Sequence, residues 1–322
     1  VGVLWEQSQR KAATKNYPAP GTLVEVGNNR VLQIDCRGAG SPTIVLESGL
    51  DLTGSLAWSA VHNELADITR TCAYSRAGSM WSTPAATRSP KEMVDDLATL
   101  LEKVGVKPPL LLVGHSLGGP LTLLFTKYYG ERVAGLVLVD PSHPEQLRRL
   151  SAFIPPQAPP GPIVTILGRA TVATGLVRVI SNQGPTIANQ SSESTKMIRA
   201  YMPQALTGMY QERRAMPGIL EAANSARELG SRPFTVLGAT RIMSAAERRQ
   251  ARLNESQAQE MLTLRHDMLA EMAGWSTSGE YVAVPDAGHY IQFDQPEAVI
   301  AAIRKMVVNL RSREAATTQL AH

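Results

Sequence analysis

Ser116 lies in Gly114-His115-Ser116-Leu117-Gly118, directly after the apolar run Leu110–Val113. A serine hydroxyl attacks a carbonyl carbon only when a base takes its proton. It must also project clear of its neighbours. The apolar run predicts a strand and Leu117–Tyr129 predicts a helix, so Ser116 falls on the sharp turn between them. Glycines at 114 and 118 leave room for that turn. The helix N-terminus aimed at the serine favours negative charge developing there. Five residues of this pattern are common by chance. Their place between strand and helix is what makes Ser116 the candidate nucleophile.

The base expected beside it is one of six histidines, at positions 62, 115, 143, 266, 289 and 322. Strain at the turn should point His115 away from its neighbour. His62 and His266 sit in helical patterns, which suit ordinary core or surface histidines. His322 is in the tail. His289 follows the late run Tyr281–Val284 through Pro285-Asp-Ala-Gly288, in a loop just ahead of the last helix. That late position suits the base of a serine nucleophile. The oxyanion formed on attack needs two preorganised donors, and the backbone N–H of Leu117 is one candidate.

The elements that must hold these residues are legible in outline. Short β-rich runs at Leu23–Val26, Arg30–Cys36 and Thr43–Glu47 are bounded by Gly and Pro. Strands then alternate with helices: Ala57–Ile68 and Pro90–Val104 read as helices, Thr71–Ser75 and Gly135–Val139 as strands. Continuous apolar strands between helices imply a parallel sheet covered on both faces. The alternation stops near residue 145. Residues 145–232 are rich in Pro, Gly, Ser and Arg, with ten Lys/Arg against five Glu and no Asp. They read as helical pieces, with a proline-marked linker at Pro155-Pro156 and Pro159-Pro160-Gly161-Pro162. Strand–helix alternation resumes with Phe234–Leu237, a helical stretch near 245–273, and Tyr281–Val284. A last helix starts near Asp294, with Glu297 completing a capping-box pattern. Residues 313–322 read as a frayed tail.

Bulk properties narrow the class. Of 322 residues, 43% are hydrophobic, which suffices for a large core. Only 5% are aromatic and the net charge is +4, without a basic run, so a nucleic-acid footprint is not expected. No His, Asp or Glu cluster has metal-ligand spacing, and no cofactor is implied. Cys36 and Cys72 fit no zinc or redox motif; they are two buried thiols or one disulfide. No stretch of eighteen apolar residues exists. The opening Val1-Gly-Val-Leu-Trp5 turns abruptly polar. It is read as the trimmed end of an export or membrane segment or as a simple boundary.

Three segments carry a resemblance: Gly114–Gly119, Leu136-Val-Leu-Val-Asp-Pro-Ser-His-Pro144 and Ala287-Gly-His-Tyr-Ile-Gln-Phe-Asp-Gln-Pro296. They resemble the α/β-hydrolase superfamily, and most closely its esterase-like bacterial branch, over roughly residues 22–145 and 232–310. The resemblance implies a mostly parallel eight-stranded sheet flanked by helices. The core would be 21–144 and 233–312, after a lead-in at 1–20. Residues 145–232 would form a helical cap over the site. It also implies a second oxyanion donor, the N–H of Leu50 in Ser48-Gly49-Leu50-Asp51, with a plain glycine turn as the alternative. Asp51 is close enough to face substrate, although loop aspartates are usually solvated.

In this superfamily the acid that orients the histidine usually follows the strand after the cap. Here Leu237-Gly-Ala-Thr-Arg-Ile-Met-Ser-Ala-Ala-Glu247 has no Asp. The superfamily's other position is the end of the preceding strand, where Asp140 stands. One helix and one strand separate it from Ser116, so both emerge at the same carboxyl edge of the sheet. Asp140 as a cap for the turn at Pro141–Pro144 is the alternative role, and Glu247 and then Asp267 are the alternative acids. Asp286 is too near His289 in sequence to orient it from behind. The segment Tyr74–Ser82 resembles a family turn that usually has Asp where Ser75 stands, so no carboxylate acts there. Arg76 and Trp81 read as structural. The implied strand order makes Cys36 and Cys72 neighbours, which favours a disulfide. Related bacterial chains often carry an N-terminal export or membrane segment, which favours an extracytoplasmic location (periplasmic, membrane-anchored or secreted).

The expected chemistry is hydrolysis of a small-molecule carboxylic ester or lactone through an acyl-enzyme on Ser116, His289 and Asp140. Amide hydrolysis, perhydrolysis, acyl transfer and lyase chemistry use the same residues. A dehalogenase or epoxide hydrolase on this fold would need Asp at 116. A binding protein that kept the fold and lost catalysis is the non-enzymatic alternative. In the cap, Met197, Met202, Met209, Met216, Tyr201 and Tyr210 would line an apolar pocket or form the cap's own core. Arg213-Arg214 would attract an acidic group or lie on a solvated face.

Overall fold

A computed structural model of the chain describes residues 2–84, 89–154, 162–181 and 189–320. The expected linker at 155–161 and His322 lie outside the described residues.

β1 (Thr22–Gly27) and β2 (Arg30–Arg37) form an antiparallel hairpin. Its turn residues Asn28 and Asn29 have φ of 51° and 57°, a region that asparagine tolerates. β3 (Thr43–Glu47), β4 (Thr71–Ser75), β5 (Leu110–His115), β6 (Val133–Val139), β7 (Phe234–Ala239) and β8 (Gly279–Val284) complete one sheet. Its eight strands run in the order β1-β2-β4-β3-β5-β6-β7-β8. β2 pairs antiparallel to β4, and every neighbour from β4 through β8 is parallel. This is the mostly parallel, helix-flanked sheet that the sequence implied. Cys36 and Cys72 face each other in the β2–β4 register and are joined as a disulfide.

The apolar runs are continuous because both faces are buried. In β5, Leu110 and Leu112 enter a core shared with Leu97 and Leu124, from the helices Pro90–Lys103 and Gly118–Tyr129. Leu111 and Val113 enter the opposite core with Val299 and Ile303 of the final helix. Burying each such side chain stabilises the fold by roughly 1.5–3 kcal/mol.

Several boundaries differ from the sequence reading. The stretch 57–68 divides into a 3₁₀ turn, Gly54–Trp58, and a helix, His62–Ile68. The stretch 245–273 divides into Ala245–Ala251 and Glu255–Ala273. Arg252 breaks it with φ of 58°, and Asn254 and Gln257 cap the second piece reciprocally. The capping box at Asp294 does not form. The Asp294 carboxylate instead accepts the Gly288 N–H at 2.8 Å, and the last helix runs Pro296–Leu320. Residues 313–320 therefore continue a helix instead of fraying; no Gly or Pro interrupts them, and Ala315 and Ala316 favour the helix.

Between residues 145 and 232 the described elements are the helices Gln146–Arg149, Pro162–Ala173, Leu176–Ser181 and the long Ser192–Ala223. The last is capped by the Ser191 side chain. The lead-in is itself a helix, Gly2–Asn16, whose buried Glu6 accepts from Arg178 Nε and Nη2 at 2.9 and 3.0 Å. Among the described residues no helix is long and apolar enough to cross a membrane.

Candidate active site

β5 delivers Ser116 to the carboxyl edge of the sheet with φ of 53°, a strained conformation for a side chain other than glycine. Its neighbours explain how the strain is held. A Cβ on Gly118 would lie 2.5 Å from the Glu47 carbonyl oxygen, and one on Gly114 would lie 2.7 Å from the Gly118 carbonyl oxygen. The Ser116 carbonyl accepts from the N–H groups of Gly119 (3.0 Å) and Ser142 (2.9 Å), which locks the turn.

His289 and Asp140 meet this serine. His289 Nδ1 lies 2.6 Å from Asp140 Oδ2, and His289 Nε2 lies 3.0 Å from Ser116 Oγ. A proton on Nδ1, bound to the carboxylate, leaves Nε2 to accept from the serine hydroxyl. The imidazole side chain is 41% exposed, so the pair opens to solvent and to an incoming molecule. Asp140 is buried just beyond β6, with φ of 41°. Its Oδ1 accepts the Ala239 N–H at 3.2 Å. Its Oδ2 also accepts from Arg265 Nη2 at 2.5 Å. Burial alone would raise this carboxyl, but Arg265 and His289 outweigh it and hold the pKa at about 2.

Arg265 was not singled out from the sequence, because an arginine on the helix Glu255–Ala273 looks solvated until that helix is packed beside β7. His115 packs its ring against that of His289, with 4.7 Å between centroids. Its buried ring donates from Nε2 to the His289 carbonyl at 2.9 Å, which ties the late loop to the nucleophile turn. Burial pushes the His115 pKa down to about 3, so the ring is neutral.

The alternative acids are not brought to His289. Glu247 pairs with Arg241 (2.7 and 2.9 Å) and caps its own helix. Asp267 lines an open groove with Glu255 and Glu260. Asp51 is half-buried in the loop after β3. Its Oδ1 accepts from Thr53 N and Oγ1, at 2.7 and 2.6 Å, and so shapes its loop. Ser75 fills the family's carboxylate position with a bond from its Oγ to Gln33 Oε1 of 2.8 Å. His62 is a buried core histidine 3.1 Å from the Thr71 carbonyl. His266 stacks edge-on against Tyr281, and His143 is buried beside Trp275.

The loop carrying Leu50 packs directly on Ser116: a Cβ on Gly49 would lie 3.0 Å from Ser116 Cβ. Leu117, the other expected donor, is the N-cap of the helix Gly118–Tyr129. Arg76 supports this loop from behind, donating to the carbonyls of Ser48 (2.7 Å) and Gly49 (2.6 Å).

A cavity of about 250 Å³ opens beside Ser116 and His289. Leu147, Leu150, Met216, Met268 and Leu269 line it, with Arg265 at its edge. Met216 lines the cavity, while Met197 and Met202 pack with Tyr201 against Trp81 and Met80 of the core and Tyr17 of the lead-in. Arg213 and Arg214 are exposed. Among the described residues no group of three or more His, Cys, Asp or Glu side chains is placed to hold a metal ion.

Comparison with known proteins gives a consistent picture. The model of a family described as the alpha/beta hydrolase family matches residues 20–302. The probable transporter efuK of Hormonema carpetanum is 32% identical over 144 residues, 42% of this chain and 19% of that protein. Human (lyso)-N-acylphosphatidylethanolamine lipase is 33% identical over 120 residues, 34% of this chain and 33% of the lipase. The chain thus spans a third or less of these two relatives' length. A thermophilic esterase from Thermogutta terrifontis superposes with a TM-score of 0.60 at 22% identity, covering 90% of this chain and 99% of the esterase. At that identity the likeness speaks for the fold, which a haloalkane dehalogenase variant from Bradyrhizobium elkanii shares as well.

Proposed function

The chain belongs to the alpha/beta hydrolase family, and from that premise we propose that it is a serine hydrolase cleaving a carboxylic ester through an acyl-enzyme. One observation carries the proposal: the hydrogen-bonded row from Asp140 to His289 to Ser116, with steps of 2.6 and 3.0 Å. His289 Nε2 takes the serine proton as Oγ attacks the ester carbonyl. Asp140 holds the imidazole in the right tautomer and stabilises it once charged. The N–H groups of Leu50 and Leu117 receive the oxyanion. As the tetrahedral intermediate collapses, His289 gives its proton to the leaving alcohol. Water then attacks the acyl-enzyme by the same route in reverse.

A serine at 116 favours this reading over dehalogenase or epoxide chemistry, which uses an aspartate there. The apolar lining beside Ser116 suits a medium-sized, partly apolar ester or lactone. The kinship with a lipase supports the same bond type. The Cys36–Cys72 disulfide supports an oxidising, extracytoplasmic location (periplasmic, membrane-anchored or secreted).

The test is a panel of p-nitrophenyl esters, lactones and anilides with wild type, Ser116→Ala and Asp140→Asn. Esters should turn over fastest, Ser116→Ala should be inert, and Asp140→Asn should lose roughly 10⁴-fold in kcat. A fluorophosphonate probe that leaves Ser116 unlabelled would refute the assignment. Near-normal turnover in Asp140→Asn would move the acid elsewhere.

A further inference from the structure

Three residues on one stripe of the helix Ser192–Ala223, spaced four apart, seat the cap on the core. Gln204 Nε2 donates to the carbonyls of Met80 and Ser82, both at 2.7 Å. Gly208 packs so closely on Gly78 that a Cβ would lie 2.2 Å from the Gly78 carbonyl oxygen. Glu212 accepts from Arg76 Nε at 2.7 Å and from Nη2 at 2.8 Å.

Arg76 faces the other way as well. Its remaining N–H groups reach the carbonyls of Ser48 and Gly49 and the Glu47 carboxylate. A guanidinium has five N–H donors, and each meets an acceptor here. Arg76, Glu47 and Glu212 are 4%, 2% and 6% exposed. A buried cation with one of its carboxylates withdrawn is strongly unfavourable. When Glu212 leaves, two of the five N–H groups lose their acceptor and Arg76 is held from the Glu47–Gly49 side alone.

The bond to Gly49 matters for chemistry. The Gly49 carbonyl and the Leu50 N–H belong to one planar peptide unit, so fixing the oxygen fixes the direction of the N–H. That N–H is the candidate oxyanion donor. We propose that Arg76 is the positioning residue of the Gly49–Leu50 peptide, and that Glu212 makes this positioning conditional on a seated cap. The proposal rests on Ser116 hydrolysing esters. It adds that the cap completes the oxyanion site instead of only covering the substrate.

The test uses p-nitrophenyl acetate, an ester too short to need the cap for binding. Glu212→Gln puts an amide donor toward Arg76 and should lower kcat by roughly 10- to 100-fold, the scale of a misplaced oxyanion donor. KM should stay within about threefold, since ground-state binding is untouched. Glu212→Asp keeps the charge and should recover part of the loss. Gln204→Ala weakens the same seat two turns away but leaves the Arg76–Glu212 pair in place, so it should cost less in kcat than Glu212→Gln. In a double-mutant cycle, Arg76→Met with Glu212→Met should be no slower than Arg76→Met alone. Wild-type kcat in Glu212→Gln, an equal loss in Gln204→Ala, or additive losses in the cycle would each overturn the proposal. A wild type inert to every ester would instead overturn the serine-esterase reading, and the positioning role with it.

Discussion

At the scale of single residues the unusual feature is the second partner of Asp140. Oδ2 accepts from both His289 and Arg265, at 2.6 and 2.5 Å. The arginine helps hold the carboxyl at about 2, so the acid stays ionised across any working pH. Arg265→Gln takes away one of the two donors on Oδ2 and loosens the carboxylate beside His289. Turnover of one p-nitrophenyl ester should fall roughly 10-fold in kcat, with KM within about threefold. An unchanged kcat would show that Arg265 only packs.

At the scale of elements the sheet's antiparallel edge is stapled to its parallel part. The Cys36–Cys72 bridge joins β2 to β4 across a separation of 36 residues. Closing a loop of that size in the unfolded chain is worth about 2–4 kcal/mol. Replacing both cysteines with serine should lower the melting temperature, with turnover on esters retained below it. Thiol titration of the denatured, unreduced protein should find none, and two thiols would refute the bridge. β4 also runs into the loop that carries Arg76, so the staple lies beneath the segment on which the long cap helix sits.

At the scale of the whole molecule, buried histidines set the acid limit of stability. Burial holds His115 at about 3 and His143 at about 4, against the ordinary 6.5. The unfolded chain therefore binds more protons than the folded one as pH falls through this range. The stability that these two neutral rings contribute is fully present above about pH 6.5 and is lost progressively toward pH 3–4. Asp140, depressed from 3.8 to about 2, adds a further loss only below about pH 4. Melting temperatures should fall steadily from pH 7 to pH 4, and a flat profile would contradict the neutral, buried state of His115. The sequence alone determined the eight strands, the nucleophile turn and the histidine loop. Each is written locally, in an apolar run, a glycine pair or a turn, and a parallel sheet sends all its carboxyl ends to one edge. Only the tertiary structure set Asp140 within hydrogen-bond reach of His289 and Glu247 against Arg241, because a carboxylate's partners come from segments far away in the chain. It alone brought Arg265 beside Asp140 and Glu212 beneath Arg76. An ionic side chain on a helix looks the same in sequence whether it meets water or a buried counter-ion, and that difference arises only when helices pack.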